Sequence, residues 1–269
     1  MEGLHKEYIG NMILDDIIAV KRKEVAKAKQ MNPLVELKAF VGDLPPLRNF
    51  RDSLLGHRCA IIAEIKRCSP SKGILKKDFD HRQIASIYED NGAAAISVLT
   101  DRHFFGGDLN YLTDIRKIVH IPLLRKDFIF DAYQIYETKV IGGDALLLIA
   151  GILSENQLRE FIQLSEELGL SALVEVHSES DLKKAIAAEA NIIGINNRDL
   201  NTFFTDINIS LNMASHVPPD KLLVSESGFH TRKDIEMLMN VGIHAFLIGE
   251  TLMRAENIKE KIRYLLGRE

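Results

Sequence analysis

Residues 59–73 read CAIIAEIKRCSPSKG. The stretch begins as an apolar run of strand character and then places Glu64 and Lys66 two residues apart. Side chains alternate across a strand, so residues two apart share a face. With Ile62, Glu64 and Lys66 on one face, a carboxylate and an ammonium point together into the same space. The run stops at Ser69-Pro70-Ser71-Lys72-Gly73, a loop punctuated by Pro and Gly. A buried strand ending in a structural ion pair would look the same in isolation, so the rest of the chain has to decide.

From residue 59 onward, apolar runs alternate with helical periodicity. Strands are expected at 59–67, 93–100, 122–128, 145–150, 172–177, 192–198, 221–227 and 245–249. Helices are expected between them at 82–91, 109–119, 132–141, 155–168, 179–189, 207–216, 232–241 and 251–266. Asp131, Ser154 and Thr231 stand where N-caps belong. Gly92, Gly142, Gly143, Gly169 and Gly242 close helices ahead of the next strand. Strands alternating with helices imply a parallel sheet. Eight such units predict an α/β fold closed as a (β/α)8 barrel of the TIM type, with a doubly wound open sheet as the alternative. No G-x-G-x-x-G follows the first strand, which argues against a dinucleotide site. Ahead of the repeats, helices are expected at 11–30, 34–40 and 47–55, broken at Pro33 and Pro45-Pro46. The whole of 1–269 is thus expected to form one barrel unit, with 1–56 as a helical N-terminal extension.

In such a barrel the site lies at the C-terminal ends of the strands, and the ionisable residues fall there. Strand three (PLLRKDF) ends with Lys126 on the face of Leu124, while Arg125 and Asp127 face the other way. Strand five carries Glu175, strand six Asn196 followed by Arg198, and strand seven Glu226 followed by Ser227 and Gly228. Strand eight ends at Gly249-Glu250. Burying that many charges near a barrel core is costly unless they pair with one another or serve a ligand. Ser227-Gly228 and Gly249-Glu250-Thr251 sit where such barrels bind phosphate through backbone N–H groups, although glycine after a strand is also plain turn chemistry.

Composition narrows the class. The 269 residues are 46% hydrophobic and 27% charged with net charge −4, the balance of an ordinary globular protein. A mildly acidic chain fits neither a general nucleic-acid partner nor a membrane surface, but leaves room for a small anion. Cys59 and Cys68 have no metal-ligand spacing and are expected as reduced thiols in a cytoplasmic protein. The opening residues lack the basic-then-apolar order of a signal peptide, and the longest apolar stretch is too short to span a bilayer.

The runs IAEIKRCSPSKG, SVLTDRHFFGG, LRKDFIFDAYQIYE, GGDALLLIA, LVEVH, IGINNRDL, VSESG and FLIGETLMR resemble, in order, the motifs of the indole-3-glycerol phosphate synthase family. The opening ILDDIIAVKRKEV is similar to that family's N-terminal helix. One departure is Cys68, where the family commonly has Ala. The resemblance implies ring closure of 1-(2-carboxyphenylamino)-1-deoxyribulose 5-phosphate with loss of carbon dioxide and water, in tryptophan biosynthesis. It implies no cofactor and no metal. As partners it implies a small anionic sugar-phosphate substrate and transient contacts to other enzymes of that biosynthesis.

By this resemblance Lys126 is the leading general acid, expected with a pKa lowered by burial or a neighbouring cation. Lys66 binds an anionic part of the substrate and shares in proton transfer, and Glu64 orients a lysine. Glu175 is the general base, Asn196 bonds a hydroxyl, and Glu226 holds polar groups around the ribulose. Ser69 and Ser71 contact the substrate carboxylate with help from Arg198, while Phe104, Phe105 and Phe128 wall the aromatic ring. Ser227, Gly228, Gly249 and Glu250 take the phosphate. The 69–73 loop is a candidate lid. Three other readings compete: a Schiff-base aldolase on the same barrel, a related isomerase acting on phosphoribosylanthranilate, and a barrel without catalysis. The first has no lysine on strand six to support it, the second lacks the SPSKG and RKDF runs, and the third has no need of so many charged strand ends.

Overall fold

The computed structural model describes residues 2–42, 44–70, 72–199 and 204–268. Eight parallel strands close on themselves: β1 (Ala60–Ile65), β2 (Ala95–Leu99), β3 (Leu123–Lys126), β4 (Ala145–Ile149), β5 (Ser171–Val176), β6 (Ile192–Asn196), β7 (Leu222–Glu226) and β8 (Ala245–Ile248). Each pairs with its sequence neighbours, and β8 pairs with β1, so no edge is left and the open-sheet alternative falls. All the strands but β5 are shorter than the apolar runs suggest, and in every case the end of the run leaves the ladder and enters the loops that form the barrel's mouth. Lys66 lies just beyond β1 in this way. The following loop folds into a small antiparallel hairpin, with Cys68–Ser69 against Gly73–Ile74.

Strand alternation sorts the residues as expected. Ile62, Leu124, Leu147, Leu173, Val224 and Leu247 meet inside the barrel and fill it with aliphatic carbon. Ile61, Ile96, Val174 and Phe246 face outward into two shells beneath the helices. Burying each such side chain contributes roughly 1.5–3 kcal/mol. Among the described residues, three helices carry reciprocal caps. Asp131 with Gln134, Ser154 with Gln157, and Thr231 with Asp234 each satisfy orphan N–H groups at a helix start. The last expected helix is two, Glu250–Met253 and Ile258–Leu266, because Asn257 caps the second by accepting from the Glu260 N–H. The helix expected at 47–55 is only Phe50–Leu55. Arg48 is held extended, donating to the carbonyls of Ile121 and Val119.

Among the described residues, three helices precede the barrel: α1 (Glu2–Met31), α2 (Leu34–Val41) and α3 (Phe50–Leu55). No helix among the described residues is long and apolar enough to cross a membrane. On α1, Ile17, Lys21 and Val25 recur every four residues and all three are buried. Lys21 is only 4% exposed. Its ammonium lies 2.9 Å from Asp101, just after β2, and 3.0 Å from Asp127, just after β3. Asp101 accepts the N–H groups of Phe104 and Phe105. Asp127 accepts the N–H of Phe128, the hydroxyl of Thr100 and a guanidinium N–H of Arg125. Burial alone would raise Asp127, but Arg125 and Lys21 overcome it and hold the carboxyl down at about 2.

Removing one partner of a buried ion pair leaves the others uncompensated. Lys21→Met is therefore expected to lower unfolding free energy by about 3–5 kcal/mol, read from urea denaturation. Lys21→Arg should lose clearly less, and equal stability of Lys21→Met and wild type would remove the role of this cluster.

Candidate active site

The polar layer sits directly above the aliphatic filling. The sheet register places Asn196 beside Glu226, Glu175 beside Gly194, and Glu64 beside Ser97. Above the barrel opens a cavity lined by Glu64, Lys66, Ser69, Phe105, Lys126, Phe128, Glu175, Asn196, Arg198, Glu226, Ser227, Gly228, Gly249 and Glu250. Two expected residues stand apart. Phe104 is not in the lining and packs edge-on against His103, with ring centroids 4.8 Å apart. Ser71 lies outside the described residues. Phe105 and Phe128 face each other across 6.1 Å on one wall.

Lys126 is the centre of the charge cluster. Its ammonium donates to Glu175 Oε2 at 2.8 Å and to Glu226 Oε2 at 2.6 Å. Lys66 pairs separately with Glu64 at 2.6 Å. Two glycines make room for these carboxylates. A Cβ at Gly194 would overlap Glu226 Oε1, and one at Gly249 would overlap Glu64 Oε2. Arg198 spans the mouth to Glu250 at 2.8 Å, and its own N–H bonds Asn196 Oδ1. Burial alone would raise the Glu250 carboxyl, but the Arg198 bond and charge hold it below the ordinary range.

The expected lowering of the Lys126 pKa is overturned. Burial does push it down, but Glu175, Glu226 and Glu64 outweigh burial and raise it above the ordinary lysine value. The cause is which neighbours arrive across the barrel, namely carboxylates and not a second cation. The two acids bonded to Lys126 are driven apart. Burial pushes Glu226 up to about 7, with the charge of Glu175 adding to the rise against the pull of Lys126. Burial would raise Glu175 too, yet Lys126 and a hydrogen bond from His177 hold it well below the carboxylate range. Glu226 is 1% exposed, and its Oε1 meets no partner among the described residues.

His177 is the residue that reading the sequence missed. Its Nε2 stands 2.7 Å from Glu175 Oε1. The signal was present, since His177 follows Glu175 by two residues and the same alternation puts both on one face. Lys21 carried a signal as well, at helical spacing from Ile17 and Val25. Thr205 and His230 also line the cavity, but no strand phase points to them.

A closed parallel barrel with an ammonium–carboxylate cluster across the C-terminal ends of its strands defines an enzyme of the (β/α)8 class. Solved structures at low identity agree on the fold. A 3-hexulose-6-phosphate synthase superposes with TM-score 0.62 at 12% identity, covering 77% of this chain and 98% of that one. A mandelate oxidase gives 0.60 at 12%, covering 78% and 72%. The family model for indole-3-glycerol phosphate synthase matches residues 14–265. The indole-3-glycerol phosphate synthase of Alkaliphilus metalliredigens is 49% identical over 94% of this chain and 98% of its own length. That of Legionella pneumophila strain Paris is 47% identical over 95% and 99%. The chain belongs to the indole-3-glycerol phosphate synthase family.

The opposed shifts give a test by titration. The Glu226 carboxyl, followed by 13C NMR, should titrate near 7 in the wild type. Lys126→Met removes the cation that favours ionisation, so Glu226 should titrate higher; Glu175→Gln removes the repelling charge, so it should titrate lower. Movement of either in the opposite sense would contradict the assigned causes.

Proposed function

We propose that this cavity performs the reaction of its family with Lys126 as the general acid, and the observation that carries the assignment is the ammonium fixed between Glu175 and Glu226. The reaction joins the aromatic ring carbon to the ketone carbon of 1-(2-carboxyphenylamino)-1-deoxyribulose 5-phosphate. It then releases carbon dioxide and water to leave indole-3-glycerol phosphate.

As the ring carbon attacks, the ketone oxygen becomes an alkoxide. A lysine whose pKa is raised stays protonated and gives up its proton only to a strong base, which an alkoxide is. Until then its charge, aimed by two carboxylates, stabilises the developing oxyanion. Loss of carbon dioxide returns the ring to aromaticity. The ring nitrogen's lone pair then assists departure of the hydroxyl, and the resulting cation is a strong carbon acid. A carboxylate of low basicity suffices to take that proton, which suits Glu175 in its ionised state. Glu226, poised near neutrality, is suited to hold a proton close to the departing hydroxyl.

Lys66 and Ser69 suit the substrate carboxylate, and the facing rings of Phe105 and Phe128 suit its aromatic ring. Phe104, outside the cavity lining and packed on His103, contributes to this wall on the strength of the resemblance alone. The backbone at Ser227, Gly228, Gly249 and Glu250 suits the phosphate, with Asn196 turned to a ribulose hydroxyl. Ser71 remains a proposed carboxylate contact on the strength of the resemblance alone. Lys66 is already paired with Glu64, so an incoming carboxylate competes with that glutamate and does not meet a bare cation.

Turnover of the substrate is followed by indole fluorescence in wild type and Lys126→Met. The wild type should be active and the variant at least about 10²-fold slower, the scale of a lost general acid. Activity retained in the variant would pass the acid role to Lys66, and a folded wild type without turnover would refute the function. A second variant probes the glycine at the end of β8. Gly249→Ala should lower kcat by about tenfold or more, because its methyl displaces the Glu64 carboxylate and a 1 Å misplacement costs on the order of 10²-fold. Wild-type kcat in that variant would show that Glu64 need not be held where it is.

A further inference from the structure

We infer that His177 is a positioning residue for Glu175: by fixing one carboxylate oxygen from behind, it leaves the other turned toward Lys126 and the cavity as the oxygen that takes the proton. The inference rests on the reading of Glu175 as the base.

The geometry is specific. A carboxylate has two oxygens, and here each has a separate partner. His177 Nε2 lies 2.7 Å from Oε1, and Lys126 Nζ lies 2.8 Å from Oε2. Glu175 is held ionised and can only accept, so the proton between them belongs to the imidazole. That places a proton on Nε2. The opposite nitrogen, Nδ1, is buried without a partner among the described residues. It is therefore not the atom that anchors the ring. The anchor is behind it, where the His177 backbone N–H donates to Asp181 Oδ2 at 3.3 Å. Asp181 belongs to the helix Glu179–Ala187, which Ser178 caps by accepting the Asp181 N–H. A rigid helix start thus sets the backbone, the backbone sets the ring, and the ring sets the carboxylate.

Without this bond Glu175 would keep only its contact with Lys126. Its carboxylate would be free to rotate and to present both oxygens to the ammonium, with neither held for the substrate. A base misplaced by about 1 Å loses on the order of 10²-fold in rate. The loss belongs to the chemical step, since His177 is absent from the lining of the cavity and so from the surface that binds substrate.

Glutamine and asparagine separate the role from mere occupancy. The amide nitrogen of Gln falls where Nε2 of His lies, and that of Asn falls where Nδ1 lies. The assay is steady-state turnover of 1-(2-carboxyphenylamino)-1-deoxyribulose 5-phosphate, with folding checked by far-UV circular dichroism. His177→Gln should keep kcat within about fivefold of wild type, because it keeps the donor to Oε1. His177→Asn should lose about 30-fold or more in kcat with KM within about threefold, the split expected for an effect confined to the transition state. In a Glu175→Gln background, where no base remains to be held, His177→Asn should cost less than about threefold.

Wild-type kcat in His177→Asn, an equal loss in both backgrounds, or His177→Gln as slow as His177→Asn would each overturn the inference. If the Asn variant does not fold, the Gln variant decides, and a loss beyond about tenfold in folded protein counts against the role. Glu175→Gln at wild-type kcat would instead remove the base assignment. Glu175→Gln impaired with His177→Asn harmless would remove only the role of His177.

Discussion

A buried ammonium requires carboxylates around it, and that requirement organises the mouth of this barrel. Lys126 comes from β3, while its partners Glu175 and Glu226 come from β5 and β7. These strands are distant in sequence and meet only because the sheet closes. Each charge is tolerable only when the others are in place. The cluster also divides its two acids. One proton is disfavoured on Glu175, which Lys126 and His177 both hold ionised, and favoured on Glu226, whose second oxygen meets no donor among the described residues. Two carboxylates sharing one cation thereby acquire different chemistry without differing in kind.

A second charge cluster lies on the other face of the same strand ends. Lys126 points into the barrel, while its neighbours Arg125 and Asp127 point out, where Lys21 of α1 and Glu137 meet them. Asp127 carries the backbone N–H of Phe128, and Asp101 carries those of Phe104 and Phe105. The helix ahead of the barrel therefore reaches the aromatic wall of the cavity through backbone amides and a single ammonium. An extension tethered this way is part of how the site is built.

What could be read from the sequence was phase, and what could not was partnership. Alternation within β1, β3, β5, β6 and β7 puts Glu64, Lys126, Glu175, Asn196 and Glu226 inside, and the structure agrees for each. The same rule would have included His177, two residues past Glu175. Phase within a strand says nothing about who stands opposite, so Lys126 was expected with a lowered pKa and is found with a raised one. Loops carry no phase at all. Phe104 and Phe105 are adjacent aromatics after β2, and only the fold of their loop around Asp101 decides that Phe105 lines the cavity while Phe104 turns to His103. A lysine among helix positions usually belongs to a solvated face, and Lys21 does not. Two aspartates 80 and more residues away make the exception, and no local pattern reports them.

The pairing of Lys66, Lys126 and Arg198 bears on how an anion enters the cavity. Lys66 is bound to Glu64, Lys126 to Glu175 and Glu226, and Arg198 to Glu250. Each of these three cations already has a carboxylate partner when a substrate carboxylate or phosphate arrives. On the proposed reading, substrate binding exchanges one anionic partner for another, and the backbone at Ser227-Gly228 and Gly249-Glu250 supplies donors that carry no formal charge. The negative charge brought in must then be offset from within the cluster. Glu226 is the acid best placed to do so, since its carboxyl already sits near 7 and further negative charge favours its protonated form. The same burial that makes an ionised Glu226 expensive thus leaves a proton available beside Lys126 when the substrate's charges are present.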